Sequence, residues 1–268
     1  MTKSVINWVV QENLTAEKDF AEVKAACKHL NLGFTPIELI PFADTLPDFE
    51  INHLNIYFGS SNLTELLHRD PEIKSGIWYD PGLFTMANYL KAWGPRMLNS
   101  DSQIIPFSEV SHLSFKDNQN LFIRPNADDK TFAGNVMTFS QIKEWRHRLD
   151  DVSNERLNAD TKILIGEPYR IRTEWRLWLV QGKMVAASQY RRDFKLSEKE
   201  GCPERVKAFA EDSCAEYLLD DVFVMDVCET GDELYMVECN CMNSAGYYKA
   251  DLVALIKSVS SYVEASLA

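Results

Sequence analysis

Three oxygen-bearing side chains near the end of the chain could hold a cation: Asp226 in VFVMDV, and Glu238 and Asn240 in LYMVECNCMNSAGYY. Side chains alternate along a strand, so Glu238 and Asn240 share a face with Leu234 and Met236. The turn signal Thr230-Gly231-Asp232-Glu233 folds this strand back on the one before it. A turn centred near Asp232 sets Asp226 opposite Glu238. Two carboxylates that close raise each other's pKa unless a cation lies between them. Carboxylate and amide oxygens suit a hard ion such as magnesium, whose remaining ligands are commonly waters and phosphates. The competing reading is a solvated acidic hairpin in a chain with 40 Asp and Glu residues.

A second polar constellation lies upstream. The segments EWRLWLVQ and MVAASQYR, joined at Gly182-Lys183, form the clearest hairpin in the sequence. A two-residue turn there sets Arg176 opposite Gln189 and Glu174 opposite Arg191. Trp178 and Val180 continue that face, while Trp175, Leu177 and Leu179 take the other. The planar fork of arginine suits phosphate. A wet face with a Glu174–Arg191 ion pair explains the same residues equally well. Arg124 closes a short apolar strand before Pro125, and Lys130 sits in the polar loop 126–134 ending at Gly134. Basic residues in such places can clamp a nucleotide's phosphates and close over them, although Lys130 taken alone reads more readily as a surface residue in a polar loop.

The chain has 268 residues, a hydrophobic content of 46% and 11% aromatics, ample for a folded core. No apolar run reaches membrane-spanning length, and no cleavable leader is evident. The six cysteines form no CxxC pair and the five histidines are scattered. A reduced, cytoplasmic setting is expected. Zinc chemistry and Ser–His or Cys–His catalysis have little support, and the P-loop and GxGxxG patterns are absent. A net charge of −12 argues against nucleic acid and anionic membranes as partners. Residues 169–195 run against that trend, with seven basic residues to two acidic, as a pocket for a small polyanion would.

The elements that must position these residues follow an α/β pattern. Residues 5–10, 34–41 and 54–58 read as strands. A helix capped by Thr15 carries Phe20, Val23, Cys27 and Leu30, and Gly33 ends it. Gly59-Ser60 opens a second helix, and Tyr89, Trp93 and Met97 mark the packed face of a third. A new unit starts near Leu113, with strands at 121–123 and 162–165 and a helix capped by Ser140. The stretch 193–203 reads as a polar, mobile loop. Helices near 204–218 and 250–265 flank the acidic hairpin.

In this order, FIRPNADDKTFAG, EWRLWLVQGKMVAASQYRR, FVMD and VECNCMNSAGYY resemble the ATP-grasp superfamily. More narrowly, they resemble its divergent clade marked by two arginines and a lysine. That clade includes a eukaryotic cell-division-cycle protein that assembles a translation initiation factor, with bacterial and phage families of unknown substrate. The resemblance covers roughly 115–252. It implies an α/β (α+β) protein with a pre-ATP-grasp domain over 1–112 and an ATP-grasp domain over 113–268. The latter divides into subdomains at 113–168 and 169–268. It implies ATP and Mg2+ as cofactors. Arg124 is implied near the α- and β-phosphates, where most of the superfamily has lysine, and Lys130 reaches the phosphates from a lid. The backbone about Ile165 is implied at adenine and Glu167 at the ribose. Arg176 and Arg191 would face the phosphates, and Asp226, Glu238 and Asn240 would hold magnesium. Asn243 and Ser244 are implied near substrate or phosphate; Asp251 fits the pattern without a role. The implied activity is carboxylate–amine ligation through an acylphosphate, on a peptide or protein substrate. A non-catalytic ATP-binding assembly factor and an ATP-grasp kinase are the alternatives. The sequence leaves the oligomeric state open.

Overall fold

Alternation of apolar strands with amphipathic helices builds the first part of the protein. The computed structural model describes residues 5–13, 17–40, 44–128, 131–149 and 157–266. The expected cap Thr15 and the lid residue Lys130 lie outside them. The chain runs β1 (Asn7–Gln11), α1 (Glu17–His29), β2 (Gly33–Ile37), β3 (Asn55–Phe58), α2 (Ser61–Arg69) and α3 (Met86–Trp93). It continues through β4 (Gln103–Pro106), β5 (Asn120–Pro125), β6 (Asn135–Thr138), α4 (Phe139–Arg148) and β7 (Lys162–Gly166). Then come β8 (Thr173–Val180), β9 (Lys183–Arg192), β10 (Lys195–Glu200), α5 (Glu204–Glu216), β11 (Val222–Thr230), β12 (Glu233–Cys241) and α6 (Leu252–Ser266).

These elements fall into two compact units. The first comprises Met1–Asp80, Ile171–Leu234 and Cys239–Ala268; the second comprises Pro81–Arg170 and Tyr235–Glu238. The second therefore takes in 81–112, ahead of the boundary at 112/113 drawn from the sequence.

The first unit holds a parallel sheet in the order β2-β1-β3. Both its faces are covered, as a parallel sheet requires. Val9 and Tyr57 pack with Leu63, Leu66 and Leu67 of α2. On the other face, Trp8, Val10, Ile56 and Phe58 join Val23 and Cys27 of α1 and Leu255, Ile256 and Val259 of α6 in one core. Ser60 caps α2, its Oγ accepting from Leu63 N at 3.2 Å while its own groups donate to the buried Gln11 side chain. The Gly-Ser turn thus serves helix initiation.

The same core takes in Trp178, Ala186, Val222 and Val224 of a five-stranded sheet ordered β10-β9-β8-β11-β12. The β8–β9 turn is Gln181-Gly182, one residue earlier than expected, and both residues have positive φ (49° and 72°). Such turns match strand twist but favour Asn-Gly or Gly-Gly. Two register shifts follow along the pair. Consequently Glu174 does face Arg191, whereas Arg176 faces Ser188 and Trp175 faces Gln189. Of the two readings of the polar face, the solvated one does not hold. Seven of the eight β8 residues are buried, including Glu174 and Arg176, because α5 and α6 pack against the hairpin. Residues 195–200 form an edge strand in place of the expected mobile loop. Their charged, exposed side chains give no apolar signal, yet the backbone still pairs with β9.

The second unit is built on an antiparallel sheet ordered β4-β7-β5-β6. Leu121, Ile123, Ile163 and Ile165 pack with Phe139 and Ile142 of α4 and with Phe107 and Val110. The α4 cap is Thr138 in place of the expected Ser140. Gln141 three residues on completes a capping box, which Ser140 cannot do. Gly166 ends β7 against Ser102, where a Cβ would stand 2.0 Å from the hydroxyl. The loop after β5 is tied down at its start: Asn126 accepts from Met86 N at 2.8 Å and from Ala87 N at 2.9 Å. At its far side Phe132 packs edge-on to Trp145 with ring centroids 4.9 Å apart.

Candidate functional site

In the first unit, strand register sets Asp226 of β11 directly across from Arg176 of β8. The pair is bidentate, Arg176 Nε donating to Oδ1 at 2.9 Å and Nη2 to Oδ2 at 2.8 Å. Both residues are buried, Asp226 to 1% exposure. Burial works against the guanidinium charge, but Asp226 outweighs it and drives the Arg176 pKa well above its ordinary value. Arg176 Nη1 also points to Gly246 O at 3.5 Å. A guanidinium carries five N–H groups, so two remain, one on each terminal nitrogen, with no protein acceptor among the described residues. The amide of Asn240 lies 3.5 Å from Asp226 Oδ2.

Around this pair the sheet adds a second ionic couple. Arg191 Nη1 lies 3.3 Å from Glu174 Oε1, and Tyr190 Oη donates to Glu174 Oε2 at 2.9 Å. Arg191 is half exposed whereas Glu174 is buried, so the charge reaches solvent from the arginine side. The rings of Tyr190 and Tyr248 stack beside Arg176. Sequence reasoning assigned neither tyrosine; the Tyr190-Arg191 doublet and the NSAGYY segment were the available signals.

In the second unit, Arg124 at the end of β5 forms an ion pair with Glu238. Burial opposes its charge, and the neighbouring carboxylate more than restores it, raising its pKa. Its Nε is buried with no hydrogen-bond partner. Ile165 is 1% exposed and its backbone lies between β4 and β5 in the ladder. Glu167 follows the strand end and is exposed.

Within the first unit, Asp226 and Asn240 supply a carboxylate and an amide oxygen, donors that suit a hard dication. Among the described residues no three His, Cys, Asp or Glu side chains group to cage a metal. An ion held by these residues would draw further ligands from phosphate or water. The orphaned Nε of Arg124 and the unspent fork of Arg176 likewise fit phosphate oxygens.

Two motif residues do other work. Asn243 is buried, and its amide donates to Tyr57 O at 2.7 Å and Gly76 O at 2.8 Å while accepting from Trp78 N at 2.9 Å. That saturates it as a tie between loops, correcting its expected place at substrate. Asp251 accepts from Ala254 N at 2.9 Å and begins α6. All six cysteines are free thiols. Burial pushes Cys27 and Cys214 up to about 12 and Cys202 up to about 11, which leaves them protonated and poorly nucleophilic at neutral pH. No described helix is long and apolar enough to cross a membrane.

The fold is that of an ATP-grasp protein. The chain belongs to family 3 of the ATP-grasp domains in the clade marked by two arginines and a lysine, which it matches over residues 80–259. No curated protein matches it. Among solved structures it is similar to the D-cycloserine synthetase DcsG, with a TM-score of 0.62 at 8% identity, over 96% of this chain and 99% of that one. It is similar to the ATP-grasp ligase PsnB complexed with a minimal precursor, at 0.55 and 11%, over 97% and 99%. It is also similar to a D-alanine–D-alanine ligase from Bacillus anthracis complexed with ATP, at 0.56 and 13%, over 98% and 100%. At these identities the likeness is one of fold.

Proposed function

We propose that this chain is an ATP- and magnesium-dependent carboxylate–amine ligase that works through an acylphosphate on a peptide or protein substrate. The observation that carries the reading is Arg176. It is a buried guanidinium, neutralised along one edge by Asp226, that keeps an N–H on each terminal nitrogen for an outside acceptor. Such a fork suits phosphate oxygens in a site with little water. The buried, unpartnered Nε of Arg124 adds a second donor of the same kind.

In this reading Arg124, Arg176 and Arg191 bind the nucleotide's phosphates, with Lys130 closing over them. The backbone about Ile165 and the Glu167 side chain meet adenosine. Asp226, Glu238 and Asn240 would hold magnesium, which when bound neutralises charge on the transferring phosphoryl group. A substrate carboxylate oxygen attacks the γ-phosphorus, the bond to the β,γ-bridging oxygen breaks, and ADP leaves. An amine nitrogen then attacks the acyl carbon and inorganic phosphate departs, the amine losing its proton to solvent. Catalysis by positioning and fixed charge needs no protein nucleophile, consistent with the buried, protonated thiols. The peptide class is supported by PsnB, a ligase of like fold solved with its precursor.

The test is to incubate the protein with ATP, magnesium and pooled peptides and amines, following ADP release and intact mass. Amide formation, with loss of water from the joined partners, is expected. Binding of ATP without ADP from any mixture would remove ligation. A product heavier by one phosphate would assign a kinase instead.

A further inference from the structure

Arg176 is held by more than its carboxylate. The ring of Tyr248 has its centroid 5.2 Å from the guanidinium carbon, and the ring of Tyr190 lies at 5.6 Å. The two rings stack on each other at 4.9 Å with planes 12° apart. Both distances are within the range at which a cation is drawn to an aromatic face. Tyr190 is fixed at its far end by its bond to Glu174, and the same ring faces Arg191 at 5.7 Å. Tyr190 thus links the two arginines of the sheet, and Tyr248 covers Arg176 from the loop.

The backbone at Tyr248 is unusual. Its φ is 53°, in the left-handed region that L residues with a bulky side chain rarely adopt. The reason lies in its neighbours. Tyr247 is fully buried and stacks on Phe58 at 4.5 Å, while Lys249 N is tied to Ser188 Oγ at 3.2 Å. Passing directly from one to the other, the chain turns at Tyr248 and delivers its ring to Arg176. Glycine or asparagine would make that turn at lower cost. Strain of this kind concentrates where a side chain is needed in one place.

We propose that Tyr248 is a positioning residue for nucleotide binding: its ring, stacked on Tyr190 beside Arg176, fixes the guanidinium with its unspent N–H groups presented to phosphate. The proposal rests on the ATP-binding reading above and adds the device that keeps Arg176 in register when no nucleotide is present.

The test compares affinities for magnesium–ATP and for adenosine, which has no phosphate, in the parent, Tyr248→Asn and Tyr248→Phe, with thermal unfolding of each. Asparagine tolerates the backbone but lacks the ring. Tyr248→Asn should bind ATP about tenfold more weakly, with adenosine affinity unchanged. Tyr248→Phe, which keeps the ring, should restore ATP affinity. If Tyr248→Asn fails to fold, Tyr190→Leu removes the other ring of the stack and carries the same expectation. ATP affinity equal to the parent in the ring-less variant overturns the proposal. So does an equal loss of ATP and adenosine, which marks a structural role, or a phenylalanine variant as weak as the asparagine one. A parent that binds no ATP removes the underlying reading and this proposal with it, whereas the other outcomes leave that reading intact.

Discussion

Replacing Arg176 by methionine probes both the fold and the chemistry of the site. The substitution leaves the Asp226 carboxylate, 1% exposed, without the two charge-assisted bonds at 2.9 and 2.8 Å that offset its burial. Breaking a buried pair from one side costs about 3–5 kcal/mol, a large share of a total stability of about 5–15 kcal/mol. Removing both charges in Arg176→Met/Asp226→Leu avoids the stranded carboxylate, so the double variant should lie within about 1–2 kcal/mol of the parent. The difference is a favourable coupling of several kcal/mol, measurable by a double-mutant cycle in guanidinium unfolding. The buried Trp178, on the same strand, gives a fluorescence signal for the transition. Additive costs, with the double variant the least stable, would refute the reasoning. By the same geometry Asp226→Asn is a folding lesion as well as the loss of a candidate metal ligand, because the carboxylate is buried and paired. Any variant of the pair should also lose magnesium–ATP affinity; a folded Arg176→Met that binds ATP like the parent would contradict the phosphate role.

Other outcomes follow from the surroundings. Burial, with the negative Asp221 and Asp80 nearby, holds the Asp220 carboxyl up at about 6, against an opposing hydrogen bond from Asp221 N. The folded state therefore binds a proton that the unfolded state has released. Stability from this group is full below about pH 4 and is lost as pH rises through about 6. Asp220→Asn should match the parent at pH 4 and exceed it at pH 7 by about 1–2 kcal/mol, after discounting for partial exposure; an unchanged pH slope in thermal unfolding would contradict this. Asp193 and Phe194 turn from β9 to β10 with φ of 46° and 65°, so Asp193→Asn/Phe194→Gly should raise the melting temperature through relief of about 1–2 kcal/mol of strain. Asn243→Ala breaks three buried hydrogen bonds and should cost about 2–4 kcal/mol; normal stability with lost ATP turnover would restore a substrate-contacting role.

The sequence made some of this legible, and for identifiable reasons. Apolar runs such as 222–227 and 174–180 announce strands whatever surrounds them, and the Glu174–Arg191 pairing could be read from the hairpin. Yet that pairing is reached by a different path: the turn comes one residue early, and register shifts along β9 restore the offset. Bulges leave no compositional trace, so the intermediate partner of Arg176 was misplaced. The strand 195–200 was illegible because an exposed edge needs no apolar side chains to keep its backbone bonds. The carboxylates and arginines could be listed as chemistry-bearing residues, but their pairing into Arg176–Asp226 and Arg124–Glu238 depends on register and on residues far apart in the chain. The Tyr190–Tyr248 stack joins a strand to a loop long after it, and no local pattern reports that. Asn243 was misread because a motif asparagine looks the same whether it meets a ligand or three backbone groups.

The first unit joins segments that lie far apart along the chain. Trp8 Nε1 donates to Ser260 Oγ at 3.1 Å, and β1 shares its core with α6. During synthesis, β1 therefore leaves the ribosome long before its covering helix exists, and its apolar side chains must wait until the residues between the two have been made. The second unit waits less: its final piece, Tyr235–Glu238, brings Met236 O to Leu98 N at 2.9 Å. Translation that stops short of α6 should yield a chain whose N-terminal sheet is a target for chaperones and proteases, although the missing residues lie far along the sequence from that sheet.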